Sequence, residues 1–260
     1  SAASARTIAT EVILVGIVPI AEGQSISAGT QAAREVRKRL FSLGSPNVHY
    51  KSTVIVSQTP WDDLKAVITT EKPDILIMEW KNGQTICDTP IAQVLMNPIC
   101  NIVIVRGVRS MPPDRTLVTI RGGPHAELAL QIGMSLHSKQ LDVLHIDITG
   151  AATDAPFKGL KHILKQMPEV ALRSITTDDA ASAILDESNK YDTVVLGTTA
   201  SASAGTLMIG PVAEKLLRES SATVILVKSR RPMSEAMLDE TAGVQAISIL
   251  ADKWFAEKTF

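Results

Sequence analysis

Residues 192–228 carry the pattern that most limits what this chain can fold into. Their sequence, DTVVLGTTASASAGTLMIGPVAEKLLRESSATVILVK, runs from an apolar segment through a long loop of small residues to an amphipathic segment and a second apolar segment. The apolar run at 194–197 is too short for a helix core and ends at a loop rich in Gly, Ser, Thr and Ala. It therefore predicts a buried parallel strand whose carboxyl end opens a ligand crevice.

A helix is predicted to follow this loop. Gly210 and Pro211 open it, because the fixed φ of proline suits the first helical position. One helical face then carries the apolar residues Val212, Ala213, Leu216 and Leu217. Backbone N–H groups at this helix start would point back toward the end of the strand, where an anion would be stabilised.

The same stretch resembles the C-terminal half of a universal stress protein domain. The nucleotide loop of that family has the form G-x2-G-x9-G-[ST], and Gly197, Ala200, Gly210 and Pro211 occupy the four marked positions, so that two of the four match. Where the family binds ATP or AMP, the loop glycines let the backbone approach the phosphates. The resemblance therefore implies a nucleotide site formed by Ile120, Arg121, Gly122, Ile146, Gly197, Ala200, Gly210, Pro211 and Val212.

Three of these residues depart from the binding pattern of the family. Ala200 adds a Cβ where the backbone would have to come close, and Pro211 lacks both the hydroxyl and one N–H donor. Arg121 stands where an acidic residue commonly holds the ribose, and a guanidinium cannot accept a hydrogen bond. We therefore expect no cofactor, or ATP or AMP bound weakly. The rival interpretation is a working nucleotide sensor in which Arg121 neutralises phosphate.

An internal repeat organises the whole chain. Residues 74–106 have the same layout as 192–228, which predicts a first domain at 1–108 and a second at 114–233. Two prolines mark the linker between them, and a tail follows at 234–260. The loop of the first copy contains Glu79 and Trp80 in place of the nucleotide pattern, so that copy is expected to be ligand-free.

Strict alternation of apolar strands and amphipathic helices predicts an α/β fold. We expect two doubly wound parallel-sheet domains in tandem, similar to universal stress proteins and to adenine-nucleotide alpha-hydrolases, with the first domain lacking its opening strand. Predicted strands lie at 11–18, 48–56, 74–78, 101–105, 116–121, 141–148, 170–176, 193–197 and 223–228. Predicted helices lie at 26–43, 61–71, 88–97, 124–138, 155–167, 178–190 and 210–220.

The missing strand and the tail indicate which other segments or chains this protein would contact. The strand is central in this topology, so residues before Ser1, another chain or the tail would have to supply it, and we favour residues before Ser1. Family members pair through their last strands, so 102–105 and 224–227 are expected to pair antiparallel within the chain. A homodimer would then form through the first copy or through the apolar face of the tail, which carries Val244, Ile247, Ala251, Trp254 and Phe255.

Two short segments resemble parts of larger proteins. Residues 254–260 are similar to the segment ahead of the catalytic domain in glucosyl-3-phosphoglycerate synthase-like glycosyltransferases, and the loop at 80–83 is similar to stress-protein-like regions of transporters. These resemblances imply a covalently attached domain beyond Phe260 or before Ser1.

Composition and motifs exclude several classes of protein. A net charge of -1 and 3% aromatic residues argue against a nucleic-acid partner. The longest apolar run, at 12–21, is too short for direct membrane insertion, and no signal peptide is present, which indicates the cytoplasm. Cys87 and Cys100 lack the spacing of a metal site, and no phosphate-loop or nucleophile-elbow motif occurs, so no enzyme is expected.

Two histidines lie near the predicted crevice. His145 sits with Asp147 near the end of a strand and is expected to be a hydrogen-bonded core residue, with crevice lining as the alternative. His125, in the first turn of a helix, is expected to be exposed.

The function predicted from the sequence is a non-catalytic, tandem universal-stress-protein-like module for regulation or assembly, with a degenerate nucleotide site. The alternatives are an ATP- or AMP-binding stress-response sensor and a cytosolic accessory domain of a transporter or glycosyltransferase.

Overall fold

The computed structural model describes residues 11–43, 50–80, 85–107, 112–120, 124–148, 164, 170–198, 200–203 and 206–230, without the side chains of 124, 200–203 and 206–208. The predicted tail at 234–260, the helix at 155–167 apart from Leu164, and the residues Arg121 and Gly122 therefore lie outside the description. The described residues form two compact units, one within 11–72 together with 85–90, and the other within 73–80 and 91–230.

The strands are β1 (Val12–Pro19), β2 (Tyr50–Ser57), β3 (Ile75–Glu79), β4 (Thr85–Ile86), β5 (Thr89–Pro90), β6 (Asn101–Arg106), β7 (Arg115–Ile120), β8 (Gln140–Ile148), β9 (Ala171–Thr177), β10 (Thr193–Gly197), β11 (Ala200–Ser203), β12 (Thr206–Ile209) and β13 (Thr223–Lys228). The helices are α1 (Thr30–Leu43), α2 (Pro60–Glu71), α3 (Ile91–Met96), α4 (Pro124–Ser135), α5 (Ala180–Ser188) and α6 (Pro211–Glu219), and a 3-10 turn spans Ile26–Gly29. The predicted α/β fold is confirmed.

In the first unit, β1 and β2 form a parallel pair with α1 packed against both strands. Two glycines permit this close approach. A Cβ on Gly16 would lie 2.3 Å from Cγ1 of Val36, and a Cβ on Gly29 would lie 2.4 Å from Cγ1 of Val56. Because both distances are far below van der Waals contact, any larger residue at these positions would force α1 and the 3-10 turn away from the strands.

The second unit is built on a seven-stranded sheet with the order β3-β6-β13-β10-β7-β8-β9. Neighbouring strands are parallel except β6 and β13, which are antiparallel, with Leu226 opposite Ile104 and Ile225 opposite Val105. The predicted antiparallel pairing of the two last strands within one chain is thus confirmed. Among the described residues, β1 pairs with β2 alone and β3 pairs with β6 alone.

The compact units divide the chain differently from the predicted domains. Pairing of β6 with β13 joins β3, α3 and β6 to the second half of the chain, although they belong to the first repeat. The ranges 1–108 and 114–233 follow the repeat in the sequence. As domain boundaries they stay a prediction.

The core of the second unit lies between the sheet and its helices. The central strands are buried over most of their length, as parallel strands covered on both faces should be. On one face, α4 packs its Ala126, Ala129 and Leu130 over β7, β10 and β13. In α6 the predicted face is inward, because Ala213, Leu216 and Leu217 are buried. Each fully buried leucine contributes about 1.5–3 kcal/mol.

Two β-hairpins replace segments for which the sequence predicted other structure. The predicted loop after β10 contains β11 and β12, paired antiparallel with Ala200 opposite Ile209. The predicted helix at 88–97 begins only at Ile91, because β4 and β5 precede it. The turn between β4 and β5 has two residues, Cys87 and Asp88, with φ of 49° and 62°. Positive φ at both positions is typical of the type I′ hairpin turn. A right-handed helix cannot run through residues with positive φ, so the helix begins only after this turn.

The side chain of Arg106 stabilises one end of the antiparallel junction between β6 and β13. The guanidinium of Arg106, the last residue of β6, donates through Nε to Leu217 O at 2.8 Å and through Nη2 to Ser220 O at 2.8 Å. It also lies 3.3 Å from the carbonyl oxygens of Leu216 and Ala222. Leu217 lies in the last turn of α6 and Ser220 is its C-cap residue, so the positive charge complements the negative end of the helix dipole as well.

We predict that Arg106→Ala lowers the free energy of unfolding by about 2–4 kcal/mol, because several part-buried carbonyls lose a charged donor at once. Arg218→Ala is the matched control on the same helix, because its exposed pair with Glu214 is worth no more than about 0.5 kcal/mol. Urea unfolding would measure both changes, and equal effects would show that Arg106 does not stabilise the junction.

Candidate functional site

The candidate site lies at the carboxyl ends of β7, β8, β10 and β13. Because these strands are parallel where they adjoin, their ends share one edge of the sheet. The structure places the described residues of the predicted site there or just beyond: Ile120 ends β7, Ile146 lies near the end of β8, Gly197 ends β10, Ala200 begins β11, and Gly210, Pro211 and Val212 form the start of α6. Ile120 and Ile146 are buried and apolar, so their side chains could line the bottom of the site but could not act as polar ligands.

The start of α6 offers little to an anion. Gly210 is the N-cap residue and makes no side-chain hydrogen bond, and Pro211 is the first helical residue, as predicted. Proline removes one of the N–H donors that would otherwise point at a ligand. Glu214 lies in the first turn, where a carboxylate already complements the positive end of the helix dipole. A second negative charge at this helix start would be repelled.

The hairpin of β11 and β12 occupies the predicted nucleotide loop. Ala200 is paired with Ile209 in the ladder, rather than lying in an open loop that could wrap around phosphates. Its backbone is therefore held at a fixed place by its partner strand. The sequence missed this hairpin because the segment consists of small polar residues, which indicate loops as readily as short strands.

Gly197 has a packing role in this structure. A Cβ on Gly197 would lie 2.7 Å from Cβ of His125 and 3.5 Å from its backbone carbon. The glycine at the end of β10 thus allows the first turn of α4 to approach the strand. That close contact explains a glycine at this position without any phosphate.

His125 is half-buried, which corrects the prediction that it is exposed. Its Nδ1 accepts a hydrogen bond from the backbone N–H of Ser229 at 3.2 Å, and its Nε2 lies 3.4 Å from Nζ of Lys228. The sequence could not reveal this because Lys228 and Ser229 are more than a hundred residues away and approach only through the packing of α4 on β10 and β13. Helical position alone predicted a solvated side chain.

Two influences lower the pKa of His125. Burial comes first and the charge of Lys228 second, and together they bring it from 6.5 to about 4. Burial also lowers the pKa of Lys228. At neutral pH the imidazole is therefore uncharged, and because its Nδ1 accepts from Ser229, its proton is on Nε2, facing the lysine.

His145 is the hydrogen-bonded core residue that the sequence predicted. It is buried, its Nδ1 lies 3.2 Å from the carbonyl oxygen of Ile120, and its Nε2 lies 2.7 Å from Oδ1 of Asp147. Both ring nitrogens thus face acceptors within the protein. The imidazole links the ends of β7 and β8 rather than presenting a nitrogen to a ligand.

Other candidate chemistry is limited. Among the described residues, no group of His, Cys, Asp and Glu side chains could hold a metal ion. Burial raises the pKa of the Cys87 and Cys100 thiols, which makes them poor nucleophiles at neutral pH. In the first repeat, the backbone N–H of Trp80 donates to the backbone oxygen of Val105 at 2.7 Å, which holds the chain after β3 against β6. No helix in the described part of the chain is long and apolar enough to span a bilayer.

The lowered pKa of His125 predicts a pH dependence of stability. The unfolded imidazole binds a proton near pH 6.5 and the folded one only near 4, so this stability is complete above about pH 6.5 and is lost as the pH falls toward 4. We expect the wild type to lose about 1–2 kcal/mol more than His125→Gln between pH 7.5 and pH 5, after allowance for partial solvent screening. Urea unfolding at both pH values measures this difference. Identical pH dependence in the two proteins would contradict the assignment.

Comparison with known proteins shows what this fold is similar to. Residues 166–228, from β9 to β13, match the model of the universal stress protein family. Comparison with curated protein sequences gave no match. Among solved structures, the chain is similar to a universal stress protein from Archaeoglobus fulgidus DSM 4304, with a TM-score of 0.58 and 16% identity over 85% of this chain and 88% of that one.

A second solved structure, from Pseudomonas aeruginosa UCBPP-PA14, is provisionally described as a universal stress protein. Its TM-score is 0.50 at 13% identity, over 94% of this chain and 98% of that one. At such identities these likenesses show the fold alone. The chain is therefore similar in fold to universal stress proteins, and its residues 166–228 match the model of that family.

Proposed function

We propose that this chain is a non-catalytic module for regulation or assembly, with a degenerate nucleotide site. The hairpin of β11 and β12 carries the proposal, because it stands where nucleotide-binding relatives would need an open phosphate loop. Pro211 and Glu214 at the start of α6 support it from a second side, since one removes a donor and the other supplies a negative charge.

We predict that ATP and AMP bind to the purified chain no tighter than about 1 mM, which corresponds to only about -4 kcal/mol. Loss of a ribose-holding acid and of a hydroxyl at the helix start each removes a hydrogen bond worth about 1 kcal/mol. Calorimetric titration would measure the affinity, with a family member that retains all four loop positions as the positive control. A micromolar dissociation constant, or nucleotide retained through purification, would favour the sensor hypothesis.

The proposed assembly role follows from how the chain uses its last strands. In relatives these strands pair between subunits, whereas here β6 and β13 pair with each other. A homodimer would therefore need another surface, and we place it on the first repeat. There β3 lies at the end of the sheet order, and the side chain of its Ile77 is 67% exposed. Open apolar edges of this kind invite a partner strand.

We predict that the wild type is a dimer in solution and that Ile77→Lys is a monomer at the same concentration, since a charge on an edge strand blocks pairing. Ile26→Lys is the control, because Ile26 is as exposed, at 69%, but lies on a 3-10 turn. Light scattering after size exclusion gives the mass. A monomeric wild type, or equal loss of the dimer in both variants, would refute the assignment of this surface.

A cytosolic accessory role, attached to a transporter or a glycosyltransferase, is the second candidate. It rests on the resemblances at 80–83 and 254–260, of which only Trp80 lies within the described residues. Sequencing of the complete gene would separate it from a free-standing module. A cytoplasmic location is proposed for both candidates, because Cys87 and Cys100 are both free thiols, as is usual in a reducing compartment.

A further inference from the structure

His125 and Lys228 form a pair of donors that face each other. With Nδ1 accepting from Ser229, the imidazole carries its proton on Nε2, and the ammonium group of Lys228 has only donors to offer. Two donors 3.4 Å apart cannot satisfy each other. An oxygen atom that accepts from both would satisfy the pair.

The pair also has no counter-charge among the residues that the structure describes. Among the described residues, no carboxylate forms an ion pair with Lys228, and burial is the cause of its lowered pKa. Glu127 lies in the same first turn of α4 as His125 and is the acid nearest in sequence, and it has interactions of its own. A half-buried lysine without a carboxylate is costly unless an anion joins it.

The position of the pair suits a ligand. Lys228 ends β13, and Gly197 ends the adjoining β10 at the edge of the sheet where the strands' carboxyl ends meet. Thr198, the next residue after β10, donates its N–H to Val227 O at 2.9 Å, which fixes the ends of both strands. The backbone around the pair is thus rigid, so that an anion would meet donors already in place.

We propose that His125 and Lys228 bind a phosphate-type oxyanion, with Nε2–H of the imidazole and Nζ of the lysine as the donors. Its two side chains come from α4 and β13, and His125 adjoins Gly197 at the start of the loop after β10, but the donors differ from the backbone groups of that loop. It holds whether or not a nucleotide binds, so it is independent of the proposed function. Free phosphate and the phosphate group of a larger metabolite share this chemistry.

The test follows the imidazole of His125 by NMR in the full chain, with its signal assigned from the spectrum of His125→Gln. Potassium phosphate is compared with potassium chloride at equal ionic strength. An anion beside the ring reverses the effect of Lys228, so phosphate should raise the pKa of His125 by about one unit or more. Chloride should leave it near its starting value. A phosphate titration no different from chloride would overturn the proposal.

Lys228→Met separates a built site from general charge attraction. We expect it to weaken phosphate binding at least about 5-fold, which is about 1 kcal/mol. The control is Lys139→Met, because the Lys139 side chain is 82% exposed and paired with Asp114. Equal losses in both variants would refute the site. If Lys228→Met does not fold, thermal midpoints decide: relative to chloride, phosphate should raise the midpoint of the wild type more than that of His125→Gln, because the general effect of the salt is shared by both and an equal rise would refute the site.

AMP as a third ligand distinguishes the sources of the anion. Affinity equal to that of inorganic phosphate would show that only the phosphate group is recognised, as proposed. Micromolar AMP affinity that persists in Lys228→Met would overturn the degenerate nucleotide site of the proposed function. In that case the result with inorganic phosphate would still decide the His125 and Lys228 site by itself.

Discussion

The antiparallel pairing of β6 with β13 is the constraint on which the rest of the second unit depends. Each strand is almost entirely apolar, so each would be an aggregation-prone edge without the other. Their pairing places both in the interior of a seven-stranded sheet and leaves β3 and β9 at its ends. Arg106 extends the junction beyond the ladder, since it bonds the last carbonyls of α6 from the end of β6. The last strands of the two repeats are thus held together within one sheet.

At the sheet edge where the sequence predicts a ligand, the described residues make packing and charge contacts of their own. Gly197, which the resemblance assigns to the phosphates, makes room for His125 and hence for the packing of α4. The loop that would wrap around phosphates is a hairpin, and Glu214 already supplies a negative charge to the helix beyond it. Positive charge gathers instead at the end of β13, beside His125. A fold and its binding chemistry can separate in this way because the core needs only apolar faces, whereas a ligand needs particular polar groups.

Several parts of the fold could be read from the sequence closely. The strand at 193–197 and the strand at 223–228 were predicted at the bounds observed, because buried parallel strands are short, nearly continuous apolar runs between polar turns. The start of α4 and the inward face of α6 were also foreseen from helical periodicity. The hairpins were missed, since strands of two to four residues leave no period to detect.

The sequence by itself determined the alternation of strands and helices, the repeat, and the loss of the family's pattern at Ala200 and Pro211. These features are local, because each depends on neighbouring residues or on a comparison of two segments. Only the tertiary structure decided that Gly197 serves helix packing, that Arg106 caps α6, and that His125 meets Lys228. Each of these contacts joins residues far apart in the chain, and such pairs are set by sheet order and helix docking, which leave no signature in the spacing of residues along a single sequence.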